Sequence, residues 1–152
     1  MTEPRSINDR TVCVTGASSG FGRVIAERLG SRGAHVFLAG RTTAPMEESA
    51  AKIVEAGGRA DVATFDVTDT PALQGWITGA ADSTGRLYVL VNNAGFGVAG
   101  ETIADGDPQF RKGMLDTNLL AQAVGCQAAI KSMRATNSEG TIDNISSVEA
   151  MR

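Results

Sequence analysis

Residues 11–22 read TVCVTGASSGFG, an apolar run that passes directly into a glycine-rich turn. The run from Thr11 to Thr15 predicts a buried strand, and a helix is predicted from about Gly22 to Arg32. Free backbone amides at the start of such a helix, together with the positive end of its dipole, attract phosphate groups. The turn therefore predicts a phosphate site with hydroxyl donors from Ser18 and Ser19. A tight turn that lets the helix pack closely is the alternative.

Four more apolar runs follow at intervals that suit crossover connections, and helical stretches lie between them. This order predicts an α/β fold, a doubly wound parallel sheet of about five strands in one domain over residues 1–152. Prolines mark predicted helix starts, and glycines mark passages from a helix to the next strand, where a left-handed residue is favoured. The later strands are predicted at His35 to Ala39, Ala60 to Phe65, Leu87 to Val91 and Thr141 to Ser146. The prolines are Pro45, Pro71 and Pro108, and the glycines are Gly33, Gly58, Gly85 and Gly140.

Composition excludes several classes of function. The 152 residues carry 14 Lys and Arg against 17 Asp and Glu, so the net charge of −3 provides no electrostatic footprint for nucleic acid or an anionic membrane. No apolar run approaches the roughly 18 residues that a membrane span needs. Two cysteines far apart and one histidine, His35, provide neither a disulfide framework nor a metal site. We expect a cytoplasmic protein that binds no metal, nucleic acid or membrane.

The glycine-rich turn and a second motif resemble those of classical short-chain dehydrogenases/reductases. Thr15 to Gly22 match the family motif Thr-Gly-x-x-x-Gly-x-Gly, and Asn92 to Gly95 match Asn-Asn-Ala-Gly. The resemblance covers essentially the whole chain and implies a Rossmann-type sheet that binds NAD(P) at the carboxyl ends of its strands. It also implies that Asp66 and Val67 contact the adenine, with a turn role for Asp66 as the alternative. The implied cofactor-binding residues are Gly16, Ser18, Ser19, Gly20, Phe21, Gly22, Arg41, Asp66, Val67, Asn93, Ala94 and Gly95.

The choice of cofactor depends on the residues that end the second strand. Proteins that prefer NAD usually place Asp or Glu there, about 20 residues after the glycine turn, to bind the ribose 2′-hydroxyl. This chain has Gly40 and Arg41 instead. A guanidinium offers a 2′-phosphate a permanent positive charge and a fork of donors. We therefore expect NADP rather than NAD, with a solvated surface arginine as the alternative.

The resemblance implies two catalytic candidates. Asn118 interrupts an apolar stripe on a helix predicted from about Pro108 to Met133, where the family keeps an asparagine that helps to hold a water of the proton relay. Ser147 matches the family serine that orients the substrate carbonyl. From the residues alone, a satisfied core asparagine and a simple turn serine are favoured. The stripe consists of Phe110, Met114, Asn118, Cys126, Ala129 and Met133.

The acid–base pair of the family, Tyr-x-x-x-Lys, has no match within the 152 residues. The single tyrosine, Tyr88, lies in the fourth predicted strand, and Asn92 rather than lysine follows four residues later. In the family the pair lies shortly after the serine, whereas this sequence ends at Arg152. We therefore expect a fragment that lacks the C-terminal strands and is inactive by itself.

The leading hypothesis is an NADP-dependent oxidoreductase that transfers hydride between NADP(H) and a small alcohol or ketone, with this chain as its cofactor-binding part. The alternatives are a non-catalytic dinucleotide-binding module and a nonfunctional product of a truncated gene. By resemblance, the family usually associates through the helix predicted at Pro108 to Met133 and the helix after it, so the full-length form is expected to be a homo-oligomer.

One residue departs from the family pattern within the fifth predicted strand. Asp143 stands where the family usually has an apolar residue. A buried, unpaired carboxylate costs several kcal/mol or takes up a proton. We therefore expect Asp143→Val to stabilise the chain.

Overall fold

The computed structural model describes residues 6–97 and 104–147. Its strands are β1 (Thr11–Thr15), β2 (His35–Gly40), β3 (Arg59–Thr64), β4 (Val89–Asn92) and β5 (Thr141–Asn144). Its helices are α1 (Gly20–Gly30), α2 (Thr43–Glu55), α3 (Thr70–Thr84), α4 (Pro108–Leu115) and α5 (Ala121–Ala135), and the π-helical turn Asp116–Leu120 joins the last two. The strands form one parallel sheet in the order β3-β2-β1-β4-β5. The predicted five-stranded parallel sheet is confirmed.

Both faces of the sheet are covered by helices, as the apolar runs predict. Val12 and Val14 of β1 belong to a buried cluster that includes residues of α1 and α2. Cys13, between them, belongs to a second cluster with residues of α3 and α5, and burial raises the pKa of its thiol. The strand order reverses between the neighbours β1 and β4, which is where doubly wound sheets open a crevice at their carboxyl ends.

The prediction is wrong for two of the four helix-ending glycines. Gly57, not Gly58, takes the left-handed conformation after α2, with φ at +88°. After α5 that conformation belongs to Asn137 rather than Gly140. Gly58 and Gly140 are instead glycines because space is short: an added Cβ would lie 2.3 Å from a backbone oxygen and 2.5 Å from the Met133 Cε, respectively. Positive φ is found at the other two, Gly33 and Gly85.

The helix predicted from Pro108 to Met133 is not continuous. It divides into α4, the π-helical turn and α5, because residues 116–120 follow the wider π-helical path. The predicted apolar stripe is therefore only partly buried. Ala129 and Met133 are buried, whereas Phe110, Met114 and Cys126 are half-buried. Isolated π turns of this kind are frequent at functional sites.

A carboxylate on α1 joins that helix to α2. The Oε1 of Glu27 accepts hydrogen bonds from Arg23 Nε at 3.0 Å, Ser49 Oγ at 2.9 Å and Lys52 Nζ at 3.3 Å. Partial burial opposes ionisation, but these three donors outweigh it, so the pKa of Glu27 lies below its ordinary value. A lowered carboxyl pKa means that ionised Glu27 stabilises the fold.

We expect Glu27→Gln to lower the free energy of unfolding by about 1 kcal/mol at neutral pH. The stabilisation is present above the pKa of the unfolded state, about 4.3, and is lost as the pH falls through the lower folded-state pKa. Urea denaturation at pH 7 and at acid pH measures the difference, and the exposed α2 carboxylate in Glu47→Gln provides the control. A deficit in Glu27→Gln that persists unchanged into acid would contradict this assignment.

Strand β5 forms an edge of the sheet, and Asp143 lies there in register with Val91. The side chain of Asp143 is exposed, so the premise of a buried carboxylate is wrong. The physical reason is that β5 is paired on one side and its residues 141, 143 and 144 are open to solvent. The structure therefore removes the basis for expecting Asp143→Val to stabilise the chain.

Candidate active-site cleft

An open cleft of about 390 Å³ lies at the carboxyl ends of the strands, across the point where the strand order reverses. It brings together most of the residues predicted as cofactor-binding, from the glycine-rich turn and from the loops after β2, β3 and β4. Gly22, Asn118 and Ser147 are outside its lining. Sequence reasoning missed Gly40, Phe65, Thr117 and Ile145 as lining residues. The residues predicted to line it that do so are Gly16, Ser18, Ser19, Gly20, Phe21, Arg41, Asp66, Val67, Asn93, Ala94 and Gly95.

The glycine-rich turn leads into α1 with two left-handed glycines. Gly16 and Gly20 have φ of +65° and +53°, and α1 begins at Gly20, two residues earlier than predicted. No acidic side chain lies in the first turn of α1, and the Ser19 hydroxyl at the N-cap makes no capping hydrogen bond. The first amides of the helix and the positive end of its dipole therefore have no anionic side chain beside them in that turn.

Gly22 lies behind the turn and serves its packing. An added Cβ there would lie 2.4 Å from Gly16 O and 2.4 Å from Asn93 Nδ2. That side-chain amide of Asn93 donates to Thr15 O at 3.0 Å and to Gly16 O at 3.3 Å. Thus Asn93 ties the loop after β4 to the turn after β1, and Gly22 leaves room for it. Gly22 therefore serves close packing, which was the alternative to a phosphate site for the glycine-rich turn.

The Thr15 hydroxyl, at the end of β1, binds the backbone of the loop after β4, and sequence reasoning missed this role. Its Oγ1 accepts hydrogen bonds from the amides of Asn93 at 3.0 Å and Ala94 at 3.1 Å. The same hydroxyl lies 3.4 Å from Val91 O, to which it donates. Thr15 is 2% exposed, so these are interior hydrogen bonds. The signal in the sequence was a threonine that ends the strand after the apolar residues 12–14, directly before the glycine-rich turn.

Asn118 lies on the π-helical turn and contacts the loop after β4. Its Oδ1 accepts from the amide of Phe96 at 3.0 Å, and its Nδ2 donates to Phe96 O at 2.7 Å. The side chain is half-buried, so it is not the core asparagine that the apolar stripe favoured. Asn118 thus fixes the backbone of Phe96, a residue that lines the cleft, through two hydrogen bonds.

Arg41 and Asp66 face each other in the part of the cleft that follows β2 and β3. Arg41 Nη1 lies 3.8 Å from Asp66 Oδ2, and 76% of the arginine side chain is exposed. Asp66 accepts hydrogen bonds from the Thr68 amide at 2.9 Å and the Thr68 hydroxyl at 2.8 Å. The Thr68 amide is the main reason why the pKa of Asp66 is lowered; burial opposes it, and the Thr68 hydroxyl and Arg41 add to it. Asp66 therefore does form a turn, and it also lines the cleft.

Comparison with known proteins agrees with this geometry. Residues 10–152 match the family described as short chain dehydrogenase. The chain belongs to the short-chain dehydrogenase family. A 3beta-hydroxysteroid dehydrogenase of Mediterraneibacter gnavus is 33% identical over 145 residues, which cover 95% of this chain and 52% of that protein. The ketoacyl reductase HetN of Nostoc sp. is 34% identical over 143 residues, covering 94% of this chain and 49% of that protein.

A solved structure of the short-chain dehydrogenase family has the same fold. The crystal structure of a metagenomic short-chain oxidoreductase in complex with NADP superposes with a TM-score of 0.87 at 36% identity. The alignment covers 94% of this chain and 64% of that chain. The chain thus spans about half the length of the two curated relatives and somewhat more of the solved structure.

Three further residues considered from the sequence are not among those that line the cleft of this short-chain dehydrogenase chain. Ser147 is exposed and follows the cleft-lining Ile145 by two residues, so it lies next to the cleft in the sequence. Tyr88 precedes β4, and the guanidinium of Arg10 lies 4.6 Å from the centre of its ring. His35 begins β2, at the end of the sheet opposite the cleft, with its Nε2 2.5 Å from an oxygen of Asp61.

Among residues 6–97 and 104–147, none of the helices combines the length and apolar character of a membrane-crossing segment. No three His, Cys, Asp or Glu side chains come together there as a set of metal ligands.

Proposed function

We propose that this chain is the cofactor-binding part of an NADP-dependent oxidoreductase that interconverts a small alcohol and its carbonyl compound. One observation carries the proposal: a single cleft is lined by the glycine-rich turn, by Arg41 and by the loop from Asn93 to Gly95. The family membership supports oxidoreductase chemistry, and the solved relative with NADP supports the choice of cofactor.

The residues on both sides of the strand reversal are suited to successive parts of a dinucleotide. The pyrophosphate would lie on the first amides of α1, where Gly16 and Gly20 bring the backbone within reach and the first turn of the helix carries no acidic side chain. Asp66 and Val67 would flank the adenine, and Arg41 would face the 2′-phosphate. Once bound, the nicotinamide supplies or accepts the hydride.

The chain's own residues then have distinct tasks near the reacting groups. Asn118 holds the backbone of Phe96 through two hydrogen bonds, which fixes the loop beside the site of hydride transfer. Ser147 would hydrogen-bond the substrate oxygen and orient it. The proton would move through a Tyr-x-x-x-Lys pair that the whole protein supplies from outside residues 1–152. Turnover would therefore require more than this chain.

The experiment that tests this proposal is a titration of the 152-residue chain with NADPH, followed through its single tryptophan. The Trp76 ring lies 5.7 Å from that of Phe65, which lines the cleft. We expect quenching of Trp76 emission, energy transfer to the bound reduced nicotinamide, and displacement by NADP⁺. Absence of all three signals would overturn the proposal and favour a nonfunctional product.

Turnover assays separate the remaining possibilities. We expect the chain to bind NADPH without reducing carbonyl compounds, and the whole protein to reduce them. A whole protein whose intact mass equals that of the 152 residues, and which binds NADPH without turnover, would favour the non-catalytic module. Turnover by the chain alone would contradict the assignment of proton transfer to residues outside it.

The whole protein is further proposed to form a homo-oligomer through the surface of α4 and the π-helical turn. Leu115, Leu119 and Leu120 are each at least half exposed there. Exposed apolar clusters of this kind commonly mark protein contacts. We expect Leu119→Glu to convert the whole protein to smaller species in light scattering, whereas Val54→Glu, at an exposed valine of α2, leaves its mass unchanged. Equal masses for both variants would contradict this surface.

A further inference from the structure

The two ends of the cleft differ in chemistry. Its charged lining residues are Arg41 and Asp66, which follow β2 and β3 on one side of the strand reversal. Across the reversal, the cleft is lined by Phe96 after β4 and Ile145 after β5, which are 39% and 38% exposed. A ligand that covers large apolar side chains in a cleft removes their surface from water, which makes the free energy of binding more favourable. The second end is therefore suited to an apolar group.

The Phe96 ring is held in place from several directions. The ring of Phe110 meets it edge-on, with centroids 5.5 Å apart and planes at 77°. Gly113 of α4 lies beside the ring, since a Cβ added there would be in ordinary van der Waals contact with the Phe96 Cζ, at 3.7 Å. The backbone of Phe96 is fixed by the two hydrogen bonds from Asn118. A ring that is already ordered loses little conformational entropy when it binds a ligand.

We propose that Phe96 is a specificity-determining residue that selects substrates carrying a flat apolar group beside the reacting carbonyl or alcohol. This inference rests on the proposed function and deepens it, because it names the substrate class for the same cleft. A flat ring can lie on or edge-on to Phe96, and such aromatic pairs add to the gain from buried area. A small polar carbonyl compound would leave Phe96 and Ile145 in water and gain nothing from them.

The test compares two ketones in the presence of NADP⁺, which cannot reduce them: 2-acetonaphthone, with a flat apolar group, and hydroxyacetone, without one. The chain is labelled with ¹³C on its five phenylalanines, and Phe96 signals are assigned from their loss in Phe96→Leu. We expect NOEs from the naphthyl protons to the Phe96 ring. We also expect Phe96→Ala to weaken 2-acetonaphthone binding about tenfold, with hydroxyacetone and NADP⁺ affinity changed less than about twofold.

The Phe96→Leu variant separates a flat ring from mere apolar volume and serves as the control for folding. We expect Phe96→Leu to keep NADP⁺ binding unchanged and to recover part of the 2-acetonaphthone binding that Phe96→Ala loses. Equal weakening of both ketones, or naphthyl NOEs to other phenylalanines alone, would overturn the role of Phe96. Failure of the unaltered chain to bind NADP⁺ would instead overturn the dinucleotide proposal. The ketone titration without NADP⁺ would then still decide whether Phe96 receives the naphthyl group.

Discussion

Thr15→Val is expected to lower the free energy of unfolding by about 2 to 4 kcal/mol, although valine has nearly the same shape. The Thr15 hydroxyl accepts hydrogen bonds from the amides of both Asn93 and Ala94, at 3.0 and 3.1 Å. Valine would leave both amides without this partner, at about 1 to 3 kcal/mol for each fully buried amide. Because both amides are only partly buried, the expected loss lies in the lower part of the sum. The loop after β4 would then loosen, so NADPH affinity should fall as well.

Urea denaturation at neutral pH measures the stability loss, and the same strand offers a matched control. Thr11 is also buried in β1, but its hydroxyl donates to Thr84 Oγ1. That oxygen keeps hydrogen bonds to the carbonyl oxygens of Ala80 and Arg86 when Thr11 is replaced. Thr11→Val removes a threonine hydroxyl from the same strand while leaving no backbone amide behind. We expect it to cost clearly less than Thr15→Val, and Thr15→Ser to recover most of the loss. Equal losses in the two valine variants would contradict the special role of Thr15.

The fold could be predicted from the sequence because its determinants are local. Continuous apolar runs such as Thr11–Thr15 identify strands buried on both faces, and prolines in the first turns of α2, α3 and α4 separate helices from loops. Details that depend on neighbouring elements were less accessible. Gly58 must be glycine because the last residue of α1, Gly30, approaches it closely, and the exposure of Asp143 depends on its place at the sheet edge.

The cleft was predictable where motifs mark it and not where distant residues build it. The glycine-rich turn and the loop from Asn93 to Gly95 carry short patterns, so their residues were anticipated. The hydrogen bond between Thr15 and Asn93 joins residues 78 positions apart, and no local pattern reports it. Likewise, the π-helical turn moved Asn118 off the apolar stripe and against Phe96, because a helical periodicity assumes a regular helix.

Arg41→Ala is expected to weaken NADPH binding by about 10- to 100-fold and to leave NADH binding within about twofold. The guanidinium is largely exposed and 3.8 Å from Asp66, so it is available to a 2′-phosphate at the end of β2. Hydrogen bonds to charged groups contribute about 1.5 to 3 kcal/mol, which corresponds to that loss of affinity. NADH lacks the 2′-phosphate and so loses nothing from this position.

Two variants make the result specific to the guanidinium. Arg59→Ala removes an exposed arginine of β3 that pairs with Asp9 at the opposite end of the sheet, so it changes net charge equally without touching the cleft. Arg41→Lys keeps the charge but loses the fork of donors, and we expect an affinity between those of the unaltered chain and Arg41→Ala. Calorimetric titration with both dinucleotides measures each constant. If NADH and NADPH lose affinity alike in Arg41→Ala, the arginine acts on a part common to both dinucleotides, and the preference for NADP must arise elsewhere in the cleft.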